Sequence, residues 1–192
     1  MSKRKLVVGT VVFIVLLVGV LVLVGLRKPA ISITEEIPRL VISSSAFDDM
    51  GTIPIQYTGE GLDFSPDLRL AELNDRAVSV SIIMEDLDVP IVGTITHWVI
   101  WNIPATDYIP YGIKAGETVE ELGNAVQGMA YGIHQYAGPK PPFGTHRYRF
   151  HVFVLDKMLD LPSSSTVYEL LPAMNSHILQ YGSLTGWFPS GK

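Results

Sequence analysis

The chain has 192 residues, with 14 Lys+Arg against 19 Asp+Glu, five His, no Cys and a formal net charge of −5. That length fits one domain, or one domain with an accessory segment, and the lack of cysteine excludes disulfides, zinc–thiolate sites and thiol catalysis. Five of the basic residues and none of the acidic ones lie in the first 28 positions, leaving nine basic against 19 acidic residues, a formal −10, in the remainder; such a surface is unsuited to nucleic acid or to non-specific adhesion to an anionic bilayer.

The first predicted element is apolar. Leu6 to Leu26 carries no charge, and Thr10 is its only polar residue. As a helix these residues span about 31 Å, the thickness of a hydrocarbon core. A cleaved signal peptide is the alternative, but the run exceeds the usual apolar core of one, and Arg27, Lys28 and Pro29 follow instead of a small-x-small cleavage site. The expectation is therefore an N-terminal transmembrane helix within a 1–28 membrane anchor, followed by a 29–38 linker and a 39–192 domain. Lys3, Arg4, Lys5 and the amino terminus before the span, against Arg27 and Lys28 after it, favour an inside N-terminus and an extracytoplasmic domain.

Beyond the linker the pattern is that of strands separated by Gly, Pro and Asp. A short strand is expected over Leu40–Ser43. Val78–Met84 alternates, with Val78, Val80, Ile82 and Met84 on one face. His97–Ile103 is aromatic and β-branched and stops at Pro104. Ala105–Pro142 is read as loops. In His146–Leu155, His146, Tyr148, Phe150, Val152 and Val154 share one face, and Arg147, Arg149 and His151 take the other. Ser165–Tyr181 has helical period, a capping box between Thr166 and Glu169, and Pro172 inside it, which predicts a kink or two short helices. Several strands followed by a C-terminal helix make a mostly β (α+β) domain.

Three groups of residues carry chemistry. If the strand ending at Met84 continues, Asp86 and Asp88 project from its buried face, where carboxylates need partners or solvent; a turn cap before Pro90 is the plainer reading. His97 and His146 each open a strand, a position where a lone histidine is commonly structural. Gly138 to Gly144 packs three prolines and two glycines into seven residues, a rigid loop able to present backbone N–H groups to a ligand.

Together these residues resemble the phosphatidylethanolamine-binding protein family, in its bacterial and archaeal, Raf-kinase-inhibitor-like branch. The first matching block is Ile53-Pro54, Tyr57-Thr58, Gly61 and Ser65-Pro66. The second is Asp86-x-Asp88-x-Pro90 with His97-Trp98. The third is Gly138-Pro139-x-Pro141-Pro142 with Gly144-x-His146-Arg147-Tyr148, and the fourth is Leu161-Pro162, Ala173-Met174, His177 and Leu184-x-Gly186. The likeness covers about Leu40 to Phe188. It implies a large antiparallel sheet packed on smaller sheet and helical elements, with one small anion-accepting pocket formed by Asp86, Asp88, His97, Pro141, His146 and Tyr148. Leu87 and Val89 stand where the family usually has Pro and Ala, so the turn lacks a φ-fixing proline. Lys140 adds a positive charge near the pocket.

The implied function is a membrane-anchored binding module, with a regulatory role, for phosphate or a phospholipid headgroup; no cofactor is expected. The alternative is an inhibitor of serine proteases acting through surface loops such as Tyr131–Gly144. A metal-dependent hydrolase built on two Asp and two His is the lesser reading, because no helical H-x-x-x-H spacing, G-x-S-x-G elbow or P-loop occurs. The expectation is a protein that is not an enzyme.

Overall fold

The computed structural model describes Ile31 and residues 36–191. The anchor assigned to 1–28, and the linker apart from Ile31 and residues 36–38, lie outside the described residues. Among the described residues no helix is long and apolar enough to cross a membrane.

Among the described residues, ten strands and one α-helix follow in chain order: β1 Val41–Ser43, β2 Gly51–Thr52, β3 Leu68–Ala71, β4 Ser79–Val89, β5 Gly93–Pro104, β6 Tyr108–Ile109, β7 Thr118–Val119, β8 Ala125–Gln127, β9 Thr145–Leu155, α1 Val167–Met174 and β10 Ile178–Pro189. The fold is mostly β, as expected. A seven-stranded sheet runs β2-β10-β9-β4-β5-β8-β7, and a three-stranded sheet runs β1-β3-β6. Every pairing is antiparallel except that of β2 with β10.

The large sheet is the middle of three layers. On one face Val80, Ile82, Met84, Trp98, Ile100 and Phe150 pack with Leu68, Leu70 and Ile109 of the small sheet. On the other, Ile83, Val99, Trp101, Phe153 and Leu155 pack with Val167, Leu170 and Met174 of α1. Those helix positions fall at i, i+3 and i+7, one stripe of an α-helix, and burying each contributes about 1.5–3 kcal/mol.

Three expectations are corrected. The alternation read in Val78–Met84 implied one buried face, yet β4 is buried on both from Ser79 to Asp86, because α1 covers the side that Ser81, Ile83 and Glu85 occupy. The stretch Ala105–Pro142 is not all loop: β6, β7 and β8 lie in it. The helical period through Tyr181 breaks at Met174. Pro172 offers no N–H to the helix, Asn175 caps the end by donating to the Pro172 carbonyl, and Ser176 takes a positive φ of 64°. The chain then turns into β10, so its last element is a strand. Gly182 suits that strand because a Cβ there would stand 2.3 Å from the Leu40 carbonyl oxygen. At the other end of the helix the capping box is present as read.

Candidate functional site

The sheet brings the matching motifs to one edge. β4 and β9 run in unbroken register from Ser79 opposite Leu155 to Asp86 opposite Tyr148, so Asp86, His146 and Tyr148 are neighbours by strand pairing. His97 reaches them through a β-bulge. Met84 pairs with Trp98 and the next residue, Glu85, pairs with Thr96, which leaves His97 as an extra residue in β5. A bulge re-aims the side chain it carries. The His97 ring meets Tyr148 edge-on, with centroids 5.3 Å apart.

Hydrogen bonding fixes the His97 tautomer. Its Nδ1 lies 2.7 Å from the Ala137 carbonyl oxygen, which can only accept, so Nδ1 carries the hydrogen. Nε2 is then an acceptor and takes the hydroxyl of Tyr131 at 3.1 Å. Burial pushes the His97 pKa below its ordinary value, against the opposing pull of the Ala137 carbonyl and of Asp86 and Asp63.

His146 and Asp86 form a buried pair. His146 Nδ1 stands 2.7 Å from Asp86 Oδ2, each residue is 4 % exposed, and Asp86 Oδ1 accepts the Asp88 backbone N–H at 2.9 Å. With Nδ1 committed to Asp86, Nε2 is the position left to His146 for a ligand. Tyr148 stacks on His146 with centroids 6.4 Å apart. Its hydroxyl is fully buried and makes no hydrogen bond of good geometry, with the Asp86 carboxylate and the Lys140 backbone as the polar groups beside it. Burial first, then the Asp86 charge, raises the phenol pKa well above its ordinary value, so the hydroxyl remains a neutral donor.

The other residues read from the motifs sit at the rim. Pro141 is buried, and Lys140 is exposed with its backbone near the Tyr148 hydroxyl. The loop is fastened by Gly138 N–H to Asp63 Oδ1 at 2.7 Å and Gly59 N–H to the Pro139 carbonyl at 3.0 Å. Asp88 is turned away from the pocket. Arg147 grips both its oxygens, Nε to Oδ2 at 2.9 Å and Nη2 to Oδ1 at 2.7 Å, and the Arg147 N–H adds a third bond at 2.8 Å. The side-chain bond to Arg147 holds the Asp88 pKa below its ordinary value. A register irregularity between Asp86 and Val89 accompanies this turn.

Two groups escaped the sequence reading. Tyr131 touches His97, and nothing in its spacing marked it. On the opposite face Glu85 Oε2 lies 3.3 Å from His151 Nε2 and accepts the Ile31 N–H at 3.0 Å, while His151 Nδ1 meets the Tyr181 hydroxyl at 2.8 Å. An open groove of about 480 Å³ borders Glu85, Ile31, Tyr131 and Leu171 there. Among the described residues no group of three His, Asp or Glu could hold a metal ion.

Residues 43–189 match the family model described as phosphatidylethanolamine-binding protein. A UPF0098 protein of Pyrococcus abyssi is 42% identical over 153 residues, 78% of this chain and 85% of that protein. One from Pyrococcus horikoshii is 41% identical over 148 residues, 76% and 74% of the two chains. Among solved structures, a phosphatidylethanolamine-binding protein homologue from Chlamydia trachomatis superposes with a TM-score of 0.71 at 30% identity, covering 79% of this chain and 98% of its own. Escherichia coli YbcL, described as a member of the mammalian family, shares the fold at a TM-score of 0.72 and 23% identity, over 79% and 98% of the two chains.

Proposed function

Because the chain belongs to the phosphatidylethanolamine-binding protein family, we propose that its folded domain is a binding module for a small oxyanion, free phosphate or the phosphate of a phospholipid headgroup. The observation that carries this reading is the Tyr148 hydroxyl, buried beside the two histidines, Asp86 and the Lys140 backbone without a well-formed hydrogen bond to any of them. A buried donor left unmade costs about 1–3 kcal/mol, and an oxygen ligand is what would satisfy it. His146 Nε2 and the Lys140 backbone N–H complete the set.

The Asp86 carboxylate beside an anion requires a proton. His97 is a poor source, because its Nδ1 hydrogen is bound to Ala137 and burial disfavours its charged form. The proton therefore arrives on the ligand, as on a phosphate monoester below its second pKa of about 6. A monoprotonated phosphate also carries an O–H that His97 Nε2 can accept in place of the Tyr131 hydroxyl. The groups facing the ligand are Asp86, His97, His146, Tyr131 and Tyr148, with Asp63 behind His97, so binding takes up a proton and tightens as pH falls.

A second reading, inhibition of a serine protease, is favoured by one observation. Tyr131, Ile133 and Phe143 are exposed on the segment that walls the pocket, a surface suited to a protein partner. The Leu6–Leu26 stretch would hold either module at a membrane, facing outward. The test of the anion reading is a phosphate titration of the full-length chain, followed through the ring signals of His97 and His146. Saturable shifts are expected, and His146→Ala should weaken binding at least tenfold.

A further inference from the structure

The four groups of the pocket lie deep: Tyr148 is 0 % exposed, Asp86 and His146 4 %, His97 6 %. A ligand oxygen can take His97 Nε2 only if the Tyr131 hydroxyl leaves it, so the wall that carries Tyr131 must be able to move. Three backbone walls are β4, β5 and β9, in the middle of the large sheet. The loop over Tyr136–Gly144 is tied down by the Tyr136 hydroxyl to the Tyr57 carbonyl at 2.8 Å, by Gly138 to Asp63, by Gly59 to Pro139 and by His97 to Ala137.

The turn Ala130–Ile133 is held differently. Its two backbone bonds join Ala130 and Ile133 to each other. Among the described residues, its one hydrogen bond to the rest of the protein is from the Tyr131 hydroxyl to His97 Nε2. The Tyr131 ring also meets the His97 ring edge-on, with centroids 5.0 Å apart, yet Tyr131 is 56 % exposed. Tyr131 and Gly132 both take positive φ, 52° and 74°. Gly adopts that conformation freely; for tyrosine it is costly, so the closed turn persists through what its side chain touches.

We propose that Tyr131 is a displaceable internal ligand: its hydroxyl holds the place of a ligand oxygen at His97 Nε2, and its departure opens the pocket. The inference rests on the anion-binding reading for the identity of the ligand, but not for the opening itself. The Tyr131 ring already borders the groove beside α1, which gives the side chain a second place to rest. The hydroxyl donates to Nε2 as a protonated phosphate would, so the two compete for one acceptor. Replacing one donor by another of the same geometry keeps His97 neutral in both states. Tyr131 thereby selects ligands that carry their own proton.

Two measurements on the full-length chain in non-ionic detergent test this. Diethyl pyrocarbonate acylates a neutral imidazole nitrogen that it can reach, and peptide mass spectrometry quantifies it at His97, with the part-exposed His177 as reference. His97 should react far more slowly than His177 in the parent chain, and at least tenfold faster in Tyr131→Ala, with His177 unchanged. Titration with inorganic phosphate should show Tyr131→Phe, which keeps the ring but loses the competing bond, binding about 3–10-fold more tightly. Equal reactivity of His97 with and without Tyr131 would overturn the proposal. So would weaker phosphate binding by Tyr131→Phe, which would make the hydroxyl a ligand contact. If His97 becomes reactive on removal of Tyr131 but no variant binds phosphate, the gate stands and the anion reading fails.

Discussion

Tyr148 shows how a single side chain can be set for binding at the expense of stability. Its ring is wholly buried in the core, while its hydroxyl makes no hydrogen bond of good geometry there. Tyr148→Phe keeps the ring and deletes the orphan oxygen, so denaturant unfolding should show the variant more stable by about 1 kcal/mol, while phosphate affinity falls about tenfold. A variant both less stable and unchanged in affinity would place the hydroxyl's role elsewhere. At this scale much of the site was legible. Asp86, His97, His146 and Tyr148 stand in short motifs of unusual composition, and the structure brings them together. Asp88 was not legible in the same way. It has the period-2 spacing of a pocket residue, but Arg147, adjacent to Tyr148 on β9, supplies it with a bidentate partner. Tyr131 belongs to a short turn with no periodicity, and its contact with His97 spans 34 positions, so no local pattern could reveal it.

The elements repeat this division. β4, β5 and β9 announce themselves through β-branched and aromatic runs, and their cores were found. The first residues of β5, Gly93-Thr-Ile-Thr96, lack an apolar alternation, so the strand starts earlier than its sequence signal. The bulge at His97 is a relation between two strands and is invisible in either alone. β6, β7 and β8 are two or three residues long, too short to show a period. β10 is interrupted by Gly182 and Gly186 and follows a helix with good capping, so its helical and extended patterns overlap. The rigid Gly/Pro loop was read correctly as a loop, and the structure gives its first glycine a reason. A Cβ on Gly138 would stand 2.4 Å from Asp63 Oδ1 and 2.7 Å from the Tyr57 carbonyl oxygen. Gly138→Ala must therefore shift the loop, at about 1–3 kcal/mol. Thermal unfolding should show the loss, and the displaced Lys140 backbone should weaken phosphate binding with it; a variant with parent stability and affinity would show the loop to be slack.

The three-layer molecule buries histidines on both faces of its large sheet, His97 toward the small sheet and His151 toward α1. Burial holds both below the ordinary histidine pKa, against the pull of Ala137 and Asp86 on one and of Glu85 on the other. Unfolded, each takes up a proton near pH 6.5; folded, each resists it. Stability is then fully present above about pH 6.5 and falls as pH drops below that value, by up to about 1.4 kcal/mol per pH unit per histidine. Asp88 acts in a separate window, its contribution present above its ordinary value of 3.8 and lost only below it. Denaturant midpoints at pH 7, 6 and 5, in buffer free of phosphate so that no ligand stabilises the fold, should decline steadily, and His151→Gln should flatten the slope; stability that holds level to pH 5 contradicts this. On the anion-binding proposal, affinity should run the other way with pH, because the ligand brings its own proton. Calorimetric titration of the full-length chain with inorganic phosphate at pH 6 and pH 8, beside His146→Ala, tests the central claim most directly. Saturable binding that is tighter at pH 6 and lost in His146→Ala is the result expected; tighter binding at pH 8, or heat unaltered by the substitution, would contradict an anion pocket at Asp86, His97, His146 and Tyr148.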